Sequence, residues 1–103
     1  MKTETFNQLN KVIHEKGRMA IMTILASNPE MSFKELKESL GMTDGNLSVH
    51  IRTLQQAGFV VISKTFVRNR PHTSYRLTSE GVHAFSTYID VLEEIVRMGR
   101  GVA

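Results

Sequence analysis

Arg52, Lys64, Arg68, Arg70 and Arg76 fall between Asp44 and Glu80 with no acidic residue among them, and His50 and His72 stand in the same stretch. Cationic groups without counter-charges make a one-signed face. The commonest chemistry for such a face is to hold nucleic-acid phosphate. The other groups that could do chemistry are scattered. His14, His50, His72 and His83 lie on four different predicted elements, and no two are spaced i and i+4 as a metal site on a helix would need. No Gly-rich phosphate loop, nucleophile elbow or paired carboxylates with a base can be found, so neither an enzyme nor a cofactor or metal is expected.

Length and composition set the frame for that face. The chain has 103 residues, enough for one compact domain, and residues 1–103 are expected to form a single unit. Its net charge of +3 is modest. What matters is segregation, because Glu80, Asp90, Glu93 and Glu94 make the C-terminal segment acidic and leave the basic face local. With no cysteine there is neither a disulfide framework nor thiolate chemistry. A reducing compartment, most simply the cytoplasm, fits. Apolar runs are short, so no membrane span and no signal peptide are expected.

The elements that must carry the cations can be read from capping and periodicity. Phe6, Leu9 and Ile13 recur at helical spacing, and after Gly17 a second stripe of Ile21, Ile24 and Leu25 follows, so two short helices open the chain. Asn28-Pro29-Glu30 breaks the pattern. Ser32 with Glu35 forms a capping box for a third helix, with Phe33, Leu36 and Leu40 inward. Gly41 stops it, Thr43 caps the next, and Leu47, Ile51 and Leu54 turn inward until Ala57-Gly58. Two helices so joined make a helix-turn-helix. Phe59 to Val67 and Ser74 to Leu77 are β-like, which predicts a two-stranded hairpin whose tip is the basic turn Arg68-Asn69-Arg70-Pro71-His72. Thr78-Ser79-Glu80-Gly81 then opens a helix of about 79–98.

That last helix shows two apolar stripes. Val82, Phe85, Ile89, Leu92 and Val96 form one, and Ala84, Tyr88, Val91, Ile95 and Met98 the other. The width predicts a dimer element, with Val82, Phe85, Tyr88, Ile89, Leu92, Ile95 and Val96 at the interface. The alternative is that the N-terminal helix of the same chain covers both stripes.

Several of these residues also carry a family resemblance. Arg18-Met19-Ala20-Ile21-Met22-Thr23-Ile24-Leu25, Ser32-Phe33-Lys34-Glu35-Leu36-Lys37, Thr43-Asp44-Gly45-Asn46-Leu47-Ser48, Ala57-Gly58-Phe59-Val60 and Tyr75-Arg76-Leu77-Thr78-Ser79-Glu80-Gly81 occur in order. Together they resemble the winged helix-turn-helix transcriptional regulators, in particular the small single-domain group near the MarR and ArsR families. The resemblance spans nearly the whole chain. It implies a mainly α fold with a small β-hairpin, the N- and C-terminal helices forming a dimer element. It further implies a homodimeric repressor or activator on a near-palindromic double-stranded DNA operator. ArsR-type metal sensors use cysteine among their ligands, and the absence of cysteine here speaks against metal sensing.

Residue geometry gives its own account of recognition. With Leu47, Ile51 and Leu54 inward, Gly45, Val49, Arg52 and Gln56 point nearly opposite. Arg52 suits a guanine edge or a phosphate, Gln56 an adenine, and Val49 a thymine methyl or plain exposure. Gly45 allows close backbone approach or is simply tolerated in the first turn. Asn46 and Ser48 flank the stripe, and Thr43 with the helix N-terminal amides can meet phosphate. At the hairpin, Arg68, Asn69 and Arg70 could enter the minor groove or clamp the backbone, with His72 beside them. Lys64 and Arg76 are phosphate contacts or solvated charges. Two other readings stay open: a winged-helix protein-interaction module without specific DNA binding, and a sensor with an effector pocket around Phe6, Tyr88 and Met98.

Overall fold

A computed structural model describes residues 3–101, through which five helices and three strands follow one another. The first departure from expectation comes early. Phe6, Leu9 and Ile13 do not share a helix, because α1 (Thr3–Asn7) ends and the chain turns. Asn10 is the physical reason. Its side-chain carbonyl accepts hydrogen bonds from the backbone N–H of Val12 (2.9 Å) and Ile13 (3.1 Å), offering the backbone an alternative to the helical ladder. Ile13 still reaches the core, while Phe6 stays exposed.

The next three helices make the body. Helix α2 (Lys16–Ser27) starts where the Glu15 carboxylate accepts from the Arg18 N–H at 2.8 Å. It buries Ile21, Met22 and Leu25. Helix α3 (Phe33–Leu40) has the expected capping box: Ser32 Oγ accepts from Glu35 N–H at 3.1 Å, and Glu35 returns the bond to Ser32 N–H at 2.9 Å. It stops at Gly41, whose φ of 64° is the left-handed conformation that glycine reaches without a Cβ penalty. Helix α4 (Asp44–Gln56) is capped by Thr43 and buries Leu47, Ile51 and Leu54, as its spacing predicts.

The sheet is larger than the sequence suggests. Strands β2 (Val60–Val67) and β3 (Arg70–Leu77) pair antiparallel from Val60↔Leu77 out to Val67↔Arg70, and a third strand, β1 (Met31–Ser32), pairs with β3 through Met31↔Tyr75 and Ser32↔Ser74. The hairpin turn is therefore only Arg68-Asn69, not a five-residue loop. Both residues have positive φ (52° and 64°), the mark of the type I′ turn whose twist matches a two-residue hairpin. Pro71 sits in the strand opposite Phe66 rather than in the turn. The register makes 66↔71 a non-hydrogen-bonded pair, so the missing N–H of Pro71 lies on the sheet's free edge, where it costs no ladder bond.

Helix α5 (Ser79–Gly99) closes the structure over α1 and α2. Thr78 caps it through Gly81 N–H at 2.9 Å and donates its own hydroxyl to Gly58 O at 2.6 Å. A Cβ on Gly81 would collide with the Phe59 carbonyl, so the close approach of α5 to the base of the hairpin requires glycine there. Phe85 and Tyr88 join the cluster built by Ile13, Ile21, Leu36, Leu47 and Leu54, and Val91 is buried on the same helix.

Candidate nucleic-acid interface

The side of α4 opposite its buried stripe exposes Thr43, Gly45, Asn46, Val49, Arg52 and Gln56, with Ser48 half-buried at the margin. Thr43 Oγ1 accepts from Asn46 N–H at 3.2 Å and so holds the first turn open toward solvent. A Cβ on Gly45 would meet no protein atom within 4 Å, so the chain's own packing does not demand glycine at this place. One pairing here was not legible in sequence. Lys37 on α3 reaches Asp44 Oδ1 at 2.8 Å, setting a cation against the one carboxylate at the start of this helix. Both side chains are solvated and the pair contributes little to stability. Its effect is on the local field.

Helix α4 is seated on α2 by a second polar contact missed by spacing alone. His50 Nδ1 lies 3.6 Å from Glu15 Oε1 and 3.4 Å from Arg18 Nη1, and Glu15 and Arg18 are themselves 3.9 Å apart. The imidazole rests on Gly17, where an added Cβ would fall 2.7 Å from Nε2. His50 thus turns toward the body rather than the exposed stripe. Burial acts to raise the Glu15 carboxyl. The N–H groups of Arg18 and Gly17 and the charges of His50 and Arg18 outweigh it and hold the group below its ordinary value.

The wing is the β2–β3 hairpin, and every residue from Lys64 to His72 is exposed. Strand alternation sorts its side chains onto two faces. Lys64 and Phe66 continue the face on which Val60, Tyr75 and Leu77 meet the core, whereas Arg70 and His72 lie on the other face, in line with Ser74 and Arg76. In a regular strand Arg68 and Arg70 would share a face, but Arg68 is in the turn. Arg68 and Asn69 form the tip. The base of the hairpin does meet acids that sequence order hides: Ser74 Oγ donates to Glu30 Oε2 at 3.3 Å, and His72 adds to the field on Glu35. The Glu35 carboxyl is lowered first by the Ser32 N–H, then by the Ser32 hydroxyl, and least by His72. Among the described residues, no carboxylate pairs with Arg52, Lys64, Arg68, Arg70 or Arg76.

Two other expected groupings change. Phe85 and Tyr88, read as interface residues, are 8% and 1% exposed within the single chain, because α5 uses that side to pack on its own body. Val82 and Val96 remain exposed on α5, with Ile89, Leu92 and Ile95 half-buried. Phe6 lines a cleft with Leu9, Lys11 and His14 to which neither Tyr88 nor Met98 contributes. The Tyr88 hydroxyl is occupied by His14 Nδ1 at 2.8 Å and Met19 Sδ at 3.3 Å, and burial raises its pKa. An apolar cleft of about 360 Å³ opens elsewhere, between Leu25, Pro29, Leu77, Val82 and Phe85. Among the described residues no three His, Asp or Glu side chains cluster as a metal site would require, and no helix is long and apolar enough to cross a membrane.

An exposed helix stripe beside a cationic β-hairpin, both carried on a helix-turn-helix, defines a winged-helix nucleic-acid-binding module. The chain belongs to the winged helix DNA-binding domain family, whose pattern it matches over residues 18–96. It is 33% identical over 92 residues to the uncharacterized protein MJ0432 of Methanocaldococcus jannaschii, covering 89% of this chain and 97% of that one. It is 30% identical over 95 residues to the uncharacterized HTH-type transcriptional regulator BH0655 of Halalkalibacterium halodurans, covering 91% of this chain and 80% of that one. Among solved structures, a transcriptional regulator homologue from Pyrococcus horikoshii superposes with a TM-score of 0.83 at 26% identity, over 91% of this chain and 95% of that one. Its structural neighbours include MarR-family regulators, as the sequence resemblance implied.

Proposed function

We propose that this protein is a homodimeric, sequence-specific transcriptional regulator, acting as a repressor on a near-palindromic duplex operator. The observation that carries the reading is the exposed stripe of Gly45, Val49, Arg52 and Gln56 on α4 beside a hairpin tip whose cations have no carboxylate partner among the described residues. In this reading α4 enters the major groove. There Arg52, Gln56 and Val49 read base edges, and Thr43, Asn46 and Ser48 secure the backbone at the helix start. Arg68, Asn69 and Arg70 engage the flanking backbone and minor groove, with Lys64 and His72 adding charge. The α5 stripe of Val82, Ile89, Leu92 and Val96 recurs with heptad-like spacing and supports pairing with a second copy. Two recognition helices would then stand about 34 Å apart, one DNA turn. The chain works in this account as a single unit that binds rather than catalyses.

The test is fluorescence anisotropy with duplex from the protein's own upstream region and with scrambled duplex, at low and near-physiological salt. Preference for the upstream duplex that survives the higher salt supports the reading. Equal binding that salt erases points to a basic protein-interaction surface instead. Within a positive result, Arg52→Ala should cost about 1–3 kcal/mol on the preferred duplex and relax specificity. Arg70→Ala should weaken all duplexes alike and reduce the salt slope by about one.

A further inference from the structure

The electrostatic account leaves the exposed apolar side chains of the wing unused. Phe66 is 77% exposed and its neighbour Val67 52% exposed, on a stretch from Lys64 to His72 that has no core to join. Scattered surface apolar residues need no explanation, but Phe66 is not isolated. Its cross-strand partner is Pro71, in a non-hydrogen-bonded pair where facing side chains stand close. Together they form an apolar plate on the hairpin face that also bears Lys64, while Arg70 and His72 project from the opposite face. A hairpin built only to attract phosphate has no use for such a plate.

We infer that the Phe66–Pro71 plate enters the minor groove beside the hairpin tip, Phe66 packing on the deoxyribose wall of one strand while Arg70 meets phosphate of the other. The inference rests on the DNA-binding reading and names a residue role that reading lacks. Charge selects the occupant: Lys64 shares the plate's face, Arg68 stands at the tip beyond it and Arg70 projects from the reverse face, and none has a carboxylate partner among the described residues. A polyanion whose groove has apolar sugar walls matches both halves of that surface, and apolar side chains at kinked or widened minor grooves are a recurring device. Contact through Phe66 releases no counterion, so its share of affinity is insensitive to salt, unlike that of Arg70.

The experiment is a salt series of duplex-binding isotherms joined to hydroxyl-radical footprinting of the deoxyriboses. Phe66→Thr removes the plate but keeps strand propensity, and Phe66→Leu keeps an apolar group. Phe66→Thr should weaken binding about tenfold, or 1.4 kcal/mol, at every salt concentration with the slope unchanged. It should also lose sugar protection in the minor groove flanking the recognition-helix site, and Phe66→Leu should retain that protection. A Phe66→Thr protein that melts like the parent, binds like it and leaves the same footprint overturns the inference alone. A changed salt slope also overturns it, since the residue would then act by placing charge. A parent that binds no duplex overturns the DNA-binding reading and this inference with it.

Discussion

Helix α4 and the β2–β3 hairpin are neighbours in sequence, and they are built in opposite ways. The helix is anchored from beneath by Leu47, Ile51 and Leu54, capped by Thr43 and tied to α2 through His50. The hairpin tip is exposed throughout and turns through two non-glycine residues in left-handed backbone. A surface that discriminates among bases must hold donors and acceptors to within a fraction of an ångström, and only a rigid support does that. A surface that collects phosphate tolerates motion, because charge attraction falls off gently. In the proposed function, α4 therefore suits base discrimination and the wing suits phosphate contact.

The comparison breaks most sharply from beneath. Leu47 is completely buried under the exposed stripe. Leu47→Ala should destabilise the protein by about 2–5 kcal/mol through lost transfer energy and a residual cavity. Urea denaturation measures this directly. A loss under about 1 kcal/mol would mean that the helix is not seated as described.

The parts of this comparison that could be read in sequence are those fixed by local chemistry. Ser32 with Glu35, and Thr43, announce two helix starts through cap bonds that each span three residues, Gly41 announces a stop, and a short stripe such as Leu47, Ile51 and Leu54 needs nothing distant to define it. What escaped is non-local. Strand β1 is two residues long and exists only because β3 offers it an edge. The early break after Asn7 depends on one Asn10 side chain outcompeting a plausible apolar period. Phe85 and Tyr88 share periodicity with surface residues of α5, and only the position of the body decides which side is covered. On the wing, the basic residues were legible as a set but not as two faces, since the register depends on a turn of two residues rather than five. Alternation counted outward from Val60 puts Lys64, Phe66 and Arg70 on one face, and only the two-residue turn moves Arg70 to the other.

The strained turn gives a smaller effect with a distinct signature. Arg68 occupies a left-handed conformation that costs an ordinary residue roughly 1–2 kcal/mol, and that Asn adopts more readily. Arg68→Asn should therefore steady the outer hairpin. Because that segment has no buried side chains, its opening is local and separate from global unfolding. Amide exchange over residues 64–73 should slow about two- to fivefold, as expected for roughly 0.5–1 kcal/mol of relief, while the thermal midpoint stays fixed. A rise in the midpoint would show that the wing unfolds together with the body and would remove the distinction between them.

The smallest predicted effect concerns the tie between α4 and α2. Glu15 has its carboxyl lowered in the folded state, against the opposing pull of burial, by the N–H groups of Arg18 and Gly17 and by the charges of His50 and Arg18. A carboxyl lowered on folding contributes stability that is present above its unfolded value of 4.5 and is lost as pH falls through the folded value. The Glu15 side chain is 35% exposed, so solvent screening discounts the contribution to about a few tenths of a kcal/mol. Urea denaturation of the parent and of Glu15→Gln at pH 7 and pH 3.5 isolates it. The parent should lose slightly more stability than the variant over that interval, and identical losses would mean that the Glu15–His50 contact does not help to hold α4 on α2. The wing tip, which lacks any such contact, should show no difference in amide exchange between the two proteins at either pH.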